Sequence, residues 1–193
     1  MTRKYRYLAV ALTLLLALTA CAVPAEETEP GYPTLPSFPL DRTPTQQLGD
    51  AIAKTRAEGE YEVRYGTRLK AGEDMTEDTK TQAVSQNHPL DRDEIFAAVP
   101  DLPNREDFLE RFCSRSLRVI PSNSGSLRFE LAELSWEDAR ELLNSNHEEL
   151  ADGTWTIALT VDGAGRLSDF EMTLRRDGKI QTAFLTITFP KDP

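Results

Sequence analysis

Histidine and cysteine are scarce in this 193-residue chain, which contains two of each. They are His88, His147, Cys21 and Cys113, and no two of them stand at the short spacing of a zinc motif. The densest acidic run, residues 73–78, lacks the Asp-x-Asp-x-Asp-Gly order of a calcium loop. We therefore expect neither a bound metal nor a cofactor.

Long apolar runs are also lacking. The single uncharged apolar stretch, Leu8–Ala20, is shorter than the roughly 20 residues that a helix needs to span a bilayer. It follows three basic residues, Arg3, Lys4 and Arg6. This order of a basic segment and a short apolar segment is typical of a secretory signal peptide, so residues 1–20 are predicted to be removed.

The end of this apolar run carries a more specific pattern, Leu18-Thr19-Ala20-Cys21. It resembles the lipobox of bacterial lipoproteins. The resemblance implies that a signal peptidase recognises Leu18, Thr19 and Ala20 and cleaves before Cys21, whose sulfur carries a diacylglycerol. Acyl chains on Cys21 then hold the protein on the extracytoplasmic side of a bacterial cell membrane. An ordinary cleavable signal, followed by Cys21 by chance, is the alternative.

Positive charge is in short supply. The chain has 22 basic and 32 acidic residues, a net charge of −10. Removal of residues 1–20, which hold three basic and no acidic residues, leaves 19 basic and 32 acidic residues and a net charge of −13. Nucleic acid and anionic headgroups repel such a surface, so we expect no nucleic-acid partner. Membrane attachment must then rest on acyl chains, of which two suffice.

Proline is concentrated near the start of the mature chain, where six of the 12 prolines lie between residues 24 and 44. We interpret residues 21–43 as a tether. Its prolines at positions 30, 33, 36 and 39 have the period of three residues that polyproline II shows, which places Tyr32, Leu35 and Phe38 along one edge. The tether is predicted to be a semi-rigid spacer. Alternatively, this stripe docks on the body or on a partner.

Residues 44–193 are predicted to form one α+β domain, the body. Thr43-Pro44-Thr45-Gln46 is a capping box that starts a helix, and alternating residues from Tyr61 to Leu69 indicate a strand with one buried face. Thr76–Val84 is the expected return strand. Strand patterns separated by Gly-rich turns predict a three-stranded meander over 154–189, with a phase slip after Phe184 that indicates either a bulge or a strand covered on both faces.

We expect the whole body to be a curved antiparallel sheet that ends in this meander and is covered by three or four helices. The order of elements, on a lipid-anchored chain, resembles the lipoprotein-carrier (LolA-like) families. This resemblance implies a sheet curved into an open barrel, closed by helices, with an acyl chain held between them. No motif residue carries over from those families.

Catalytic patterns are weak. A thiol enzyme would pair Cys113 with His88 or His147, but Cys113 follows Phe112 on a predicted helix and fits a buried small apolar residue. The serines around Gly125 and the sequence Gly163-Ala164-Gly165 fall between strands, which is typical of hairpin turns. We expect no catalytic residue and no enzymatic activity.

The leading functional hypothesis is therefore a lipid-anchored, non-catalytic binding module for a hydrophobic ligand or an envelope partner. The alternative is a structural or assembly lipoprotein with a filled core and no ligand, and a thiol-dependent enzyme using Cys113 is third. An enclosed apolar cavity would favour carriage of a ligand, whereas a filled core with an exposed apolar patch would favour a protein partner.

Overall fold

A computed structural model describes residues 42–99, 102–103, 107–143 and 152–190, which contain four helices and seven strands. Within these residues, no helix has the length and apolar character required to cross a membrane. Several predictions lie outside the described residues. They concern Leu18, Thr19, Ala20, Cys21, Tyr32, Leu35, Phe38 and His147.

Helices and strands are interspersed along the described part of the chain. The helices are α1 (Pro44–Ala57), α2 (Arg92–Ala98), α3 (Phe108–Cys113) and α4 (Trp136–Leu143). The strands are β1 (Tyr61–Ala71), β2 (Asp74–Val84), β3 (Arg118–Pro121), β4 (Leu127–Leu134), β5 (Thr154–Val161), β6 (Leu167–Arg176) and β7 (Lys179–Thr188).

All seven strands belong to one antiparallel sheet with the order β2-β1-β7-β6-β5-β4-β3. The α+β class is therefore confirmed. The barrel implied by the carrier resemblance is wrong, because β2 and β3 stand at opposite edges of an open sheet. Strand β3 has four residues against the 11 of β2, so it offers few backbone groups for closing the sheet.

The terminal meander is present, but it does not end the sheet. Strands β5, β6 and β7 pair in chain order, and β7 pairs on its other side with β1. The Asp177-Gly178 turn has positive φ at both residues, 49° and 71°, as a type I′ hairpin requires. The last strand is thus an interior strand, placed there by a contact between residues more than a hundred positions apart.

The predicted phase slip after Phe184 is not a bulge. The register of β6 and β7 continues without a shift from Asp169↔Thr186 to Arg176↔Lys179. Leu185 packs against the core on the helix-covered face, which we call the inner face, while Phe184 is buried on the opposite, outer face. The Arg68 guanidinium lies 5.1 Å from the centre of the Phe184 ring. The strand is therefore covered on both faces, as the second interpretation expected.

The core lies between the inner face of the sheet and the four helices, and its residues form one continuous cluster. Helix α1 contributes Leu48, Ala51 and Ile52, and the rings of Trp136 and Trp155 lie 5.7 Å apart where α4 meets β5. The largest fully buried side chains include Tyr65, Phe112, Phe129, Leu131, Leu142, Ile157 and Met172. Burial of this apolar surface is the main stabilising term of the fold.

The predicted helix start at Thr43 is confirmed in atomic detail. The Thr43 side chain accepts a hydrogen bond from the Gln46 backbone N–H at 3.3 Å, and the Gln46 side chain accepts one from the Thr43 N–H at 2.9 Å. Pro44 occupies the first helical turn. This reciprocal cap fixes the residue at which α1 begins.

Candidate functional site

A groove opens at the end of the sheet where β1 begins and where β2 and β7 end. It has a volume of about 510 Å³ and is open to solvent rather than enclosed. Its lining consists of Glu60, Tyr61, Glu62, Ala83, Val84, Ser85, Thr188, Phe189 and Pro190. Three segments far apart in sequence meet here because Glu62 pairs with Ala83 on one side and with Thr188 on the other.

Two aromatic rings form one end of the groove. The ring centres of Tyr61 and Phe189 lie 6.0 Å apart and their planes are tilted by 50°. The Arg166 guanidinium carbon lies 4.0 Å from the centre of the Phe189 ring, a cation–π contact. Phe189 is therefore held between a neighbouring ring and a cation, although it follows the last residue of β7.

Ion pairs fix the arginine that covers Phe189. Arg166 Nε lies 2.9 Å from Asp162 Oδ2, and Arg166 Nη1 lies 3.3 Å from Glu58 Oε1. Glu58 directly follows α1, and Asp162 begins the turn between β5 and β6. These contacts connect the end of α1 to the aromatic wall, so the groove has a preformed side rather than a loose one.

The charges around the groove are of both signs. Glu60 and Glu62 line it, and two arginines act on the Tyr61 phenol from outside the lining. Burial raises the pKa of Tyr61, while the charges of Arg56 and Arg92 act in the opposite direction. Burial, together with the charge of Arg92, lowers the pKa of Arg56 to about 10, at which it remains cationic at neutral pH.

The groove lining offers aromatic, hydroxyl and carboxylate side chains. Its lining contains neither cysteine nor histidine. In the part of the chain that the structure describes, no group of three His, Cys, Asp or Glu residues is placed to hold a metal ion. A lining that combines two aromatic rings with apolar side chains and two glutamates fits an apolar group that carries or adjoins positive charge.

Two of the three candidate catalytic residues, Cys113 and His88, are not part of the groove lining. Cys113 is half-buried at the end of α3, and burial raises the pKa of its thiol while a hydrogen bond with Thr45 lowers it in part. An activated cysteine nucleophile requires the opposite net shift. His88 forms an isolated bridge with Ser85 beyond β2. Nothing in these environments favours the thiol-enzyme hypothesis.

The serine cluster and the Gly-rich sequence are hairpin turns, as predicted. Ser122 Oγ lies 2.6 Å from Ser124 Oγ, and the Ser122 N–H donates to the Ser126 carbonyl at 2.9 Å across the turn. In the other turn, Asp162 Oδ1 accepts hydrogen bonds from the backbone N–H groups of Ala164 and Arg166. The side-chain oxygens thus serve turn geometry.

The sequence did not indicate the groove. Tyr61 fits the alternation of a half-buried strand, and Phe189 fits the end of the last strand, so each is accounted for locally. Their contact depends on the pairing of β1 with β7, for which no local signal exists. Comparison with known proteins found no matching family model and no matching curated protein.

Proposed function

We propose that the protein is a lipid-anchored envelope lipoprotein whose body is a non-catalytic binding module, and that the groove beside Tyr61 and Phe189 is its binding site. The observation that carries this proposal is the preformed aromatic wall, in which Phe189 is held between Tyr61 and Arg166. Both rings are partly exposed, and partly exposed aromatic side chains in a concave site with polar neighbours are typical of recognition surfaces.

An envelope protein is the partner that the groove fits best. The groove is open, whereas a carrier of an acyl chain needs an enclosed apolar cavity to remove the chain from water. Glu60 and Glu62 on its lining disfavour anionic lipid headgroups. An extended protein segment with an apolar side chain next to Lys or Arg satisfies the aromatic wall and the acidic rim together.

The anchor places this module in the envelope. Acyl chains on Cys21 would hold the mature chain at the membrane, and the tether, residues 21–43, would separate the body from the bilayer. The net charge of −13 supports acyl attachment over electrostatic attachment. The body would then meet its partner at a fixed range of heights above the membrane.

The structural or assembly alternative is supported by the continuous core. One cluster of buried residues fills the space between the sheet and the helices. In that case the groove is a surface depression without an occupant, and the protein acts by shape and position alone. This alternative and the binding proposal make opposite predictions for contacts at the groove.

Photo-crosslinking in the native envelope separates them. A photo-reactive phenylalanine analogue replaces Thr188, an exposed residue of the groove lining, in the full-length chain produced in its own host. The matched control carries the same analogue at Thr154, an exposed threonine at the start of β5. We expect an adduct with one distinct envelope protein from position 188 and none from position 154.

The variant Phe189→Ala tests whether the aromatic wall carries the contact. It removes the ring that packs against Tyr61 and Arg166, and we expect it to abolish the adduct at position 188 without changing the amount of protein in the membrane. Equal adducts at positions 188 and 154, or no adduct at either, would overturn the binding proposal. An adduct with lipid at position 188 would replace the protein partner by a hydrophobic ligand.

A further inference from the structure

Strand β2 is an unusually regular sheet edge. Its 11 residues pair with β1 in unbroken register from Tyr61↔Val84 to Ala71↔Asp74. In the described sheet its other side has no strand beside it. An edge of this length presents a row of backbone N–H and C=O groups that is a template for pairing with another chain.

The two edges of the sheet are protected differently. Strand β3 is short and ends in Pro121, two features that discourage pairing at an edge. Strand β2 contains neither a proline nor a bulge. Charged side chains are therefore what could protect β2 against pairing. The order of these charges along β2 nevertheless allows the strand to pair with a second copy of itself.

From this geometry we infer that β2 pairs antiparallel with β2 of a second copy, with Thr79 on the two-fold axis. An axis perpendicular to the sheet keeps the helices of both copies on one side and places equidistant residues opposite each other. Asp78 then lies opposite Lys80 of the second copy, and Lys80 lies opposite its Asp78. Two opposite-charge pairs flank the axis.

Neighbouring registers are disfavoured by the same charges. An axis at Asp78 would place two aspartates opposite each other, and an axis at Lys80 would place two lysines opposite each other. Like charges directly across an antiparallel pair are destabilising. The order Asp-Thr-Lys therefore selects Thr79 as the centre among these three.

The remaining side chains agree with this register. Met75, which is 62% exposed, lies opposite the exposed Ala83 of the second copy. Glu77 is engaged within its own chain, because Arg68 Nε lies 3.0 Å from its carboxylate and Arg64 also pairs with it. Lys80 Nζ donates to Glu94 Oε1 at 3.1 Å. An ammonium has three donors, so Lys80 can also donate to the carboxylate of Asp78 of the second copy.

A disulfide across the axis tests the inference in the full-length chain in membranes. In the variant Thr79→Cys, the two cysteines lie directly opposite each other at a Cα separation of about 4.5 to 5.5 Å, which a disulfide spans. In the control Thr76→Cys, the two cysteines are six residues out of register, about 20 Å apart. Mild oxidation should give a covalent dimer from Thr79→Cys alone.

Charge reversal tests the register. In the Thr79→Cys background, Lys80→Glu should lower the dimer yield by about tenfold, because both ion pairs become like-charge pairs. Adding Asp78→Lys should restore the dimer. Repulsion between residue 80 and Glu94 of the same chain persists in the double variant, so relief of that contact cannot account for restoration.

Equal crosslinking at positions 76 and 79, no crosslinking at position 79, or failure of Asp78→Lys to restore the dimer would overturn the inference. A Thr79→Cys adduct with a different protein would assign the edge to another occupant and would also overturn it. These outcomes are separate from those at Thr188, so self-pairing and groove binding can fail independently. The two surfaces adjoin at Ala83, which lines the groove.

Discussion

The backbone carbonyl oxygen of Asp78 occupies the space that a side chain on Gly66 would need, because a Cβ built on Gly66 would lie 2.0 Å from that oxygen. A backbone atom cannot rotate away as a side chain can. We therefore expect Gly66→Ala to push β2 away from β1 and to lower the free energy of unfolding by at least about 2 kcal/mol. Chemical denaturation followed by circular dichroism measures this loss.

Gly49 provides the matched control for that substitution. It lies inside α1, and a Cβ at this position would meet nothing within 4 Å. Gly49→Ala should raise the free energy of unfolding by about 0.5 to 1 kcal/mol, since alanine is the better helix former. A similar change in both variants would show that close approach of β2 is not what Gly66 permits.

The unpaired indole N–H of Trp155 should make replacement of this residue less costly than replacement of its neighbour Trp136. Trp155 is buried, and its Nε1 atom has no hydrogen-bond partner. Trp155→Phe removes some apolar surface and also removes this unsatisfied donor. Trp136→Phe, in the adjoining ring, removes a similar apolar surface without this compensation. We expect Trp155→Phe to be less destabilising than Trp136→Phe by at least about 1 kcal/mol in the same denaturation experiment. The reverse order would mean that ring packing outweighs the unpaired donor.

Asp138 should make stability depend on pH. A hydrogen bond from Arg115, at 2.5 Å, and a second from Ser135 lower the pKa of this carboxyl below its ordinary value of 3.8. The ionised form is thus favoured in the folded state, and its contribution is complete above the unfolded pKa and is lost as pH falls through the folded pKa. Asp138→Asn should be less stable than the wild type at neutral pH, and the difference should shrink well below pH 3.8.

Unfolding midpoints at neutral and acidic pH test this dependence. Glu137→Gln removes a negative charge from the same first turn of α4 and serves as the control. A stability difference for Asp138→Asn that stays constant across the pH range would assign its effect to packing rather than to ionisation.

The proposed lipid anchor predicts that membrane attachment depends on Cys21. Cys21→Ser removes the sulfur that would carry diacylglycerol. We expect the variant to leave the membrane fraction, and we expect mass spectrometry of the wild type to find an acylated N-terminus at residue 21. A Cys21→Ser chain that stays in the membrane fraction, with no acyl modification on the wild type, would contradict the lipoprotein hypothesis.

The apolar stripe of the tether makes the last prediction. Docking of Tyr32, Leu35 and Phe38 on the body would remove three large side chains from water, each worth about 1.5 to 3 kcal/mol if fully buried. The triple change of these residues to serine should then speed protease cleavage between residues 30 and 42. Equal cleavage rates in the wild type and the triple variant would leave the tether as a spacer.

Local physics made much of the fold predictable from the sequence. The capping box at Thr43 and Gln46 satisfies backbone donors within four residues, so its contribution to the helix start does not depend on distant contacts. Asp177-Gly178 adopts the two positive φ angles of its hairpin because these residue types tolerate them. The alternation of apolar side chains along β5 and β6 predicts which face of each strand points to the core, whichever strands pair with them.

Only the tertiary structure decided which strands pair with each other and which side chains they bring together. The placement of β7 beside β1 brings Phe189 to Tyr61 and creates the groove, although the two residues are separated by more than a hundred positions. Arg64 and Arg68 of β1 cover the ring of Phe184 on β7. This contact likewise depends on the pairing of β1 with β7, so the sequence pattern alone could not distinguish an outward-facing aromatic residue from a bulge. Side-chain periodicity states which face of a strand is buried, but not which strand lies next to it, because the backbone hydrogen bonds of a sheet are the same for every sequence.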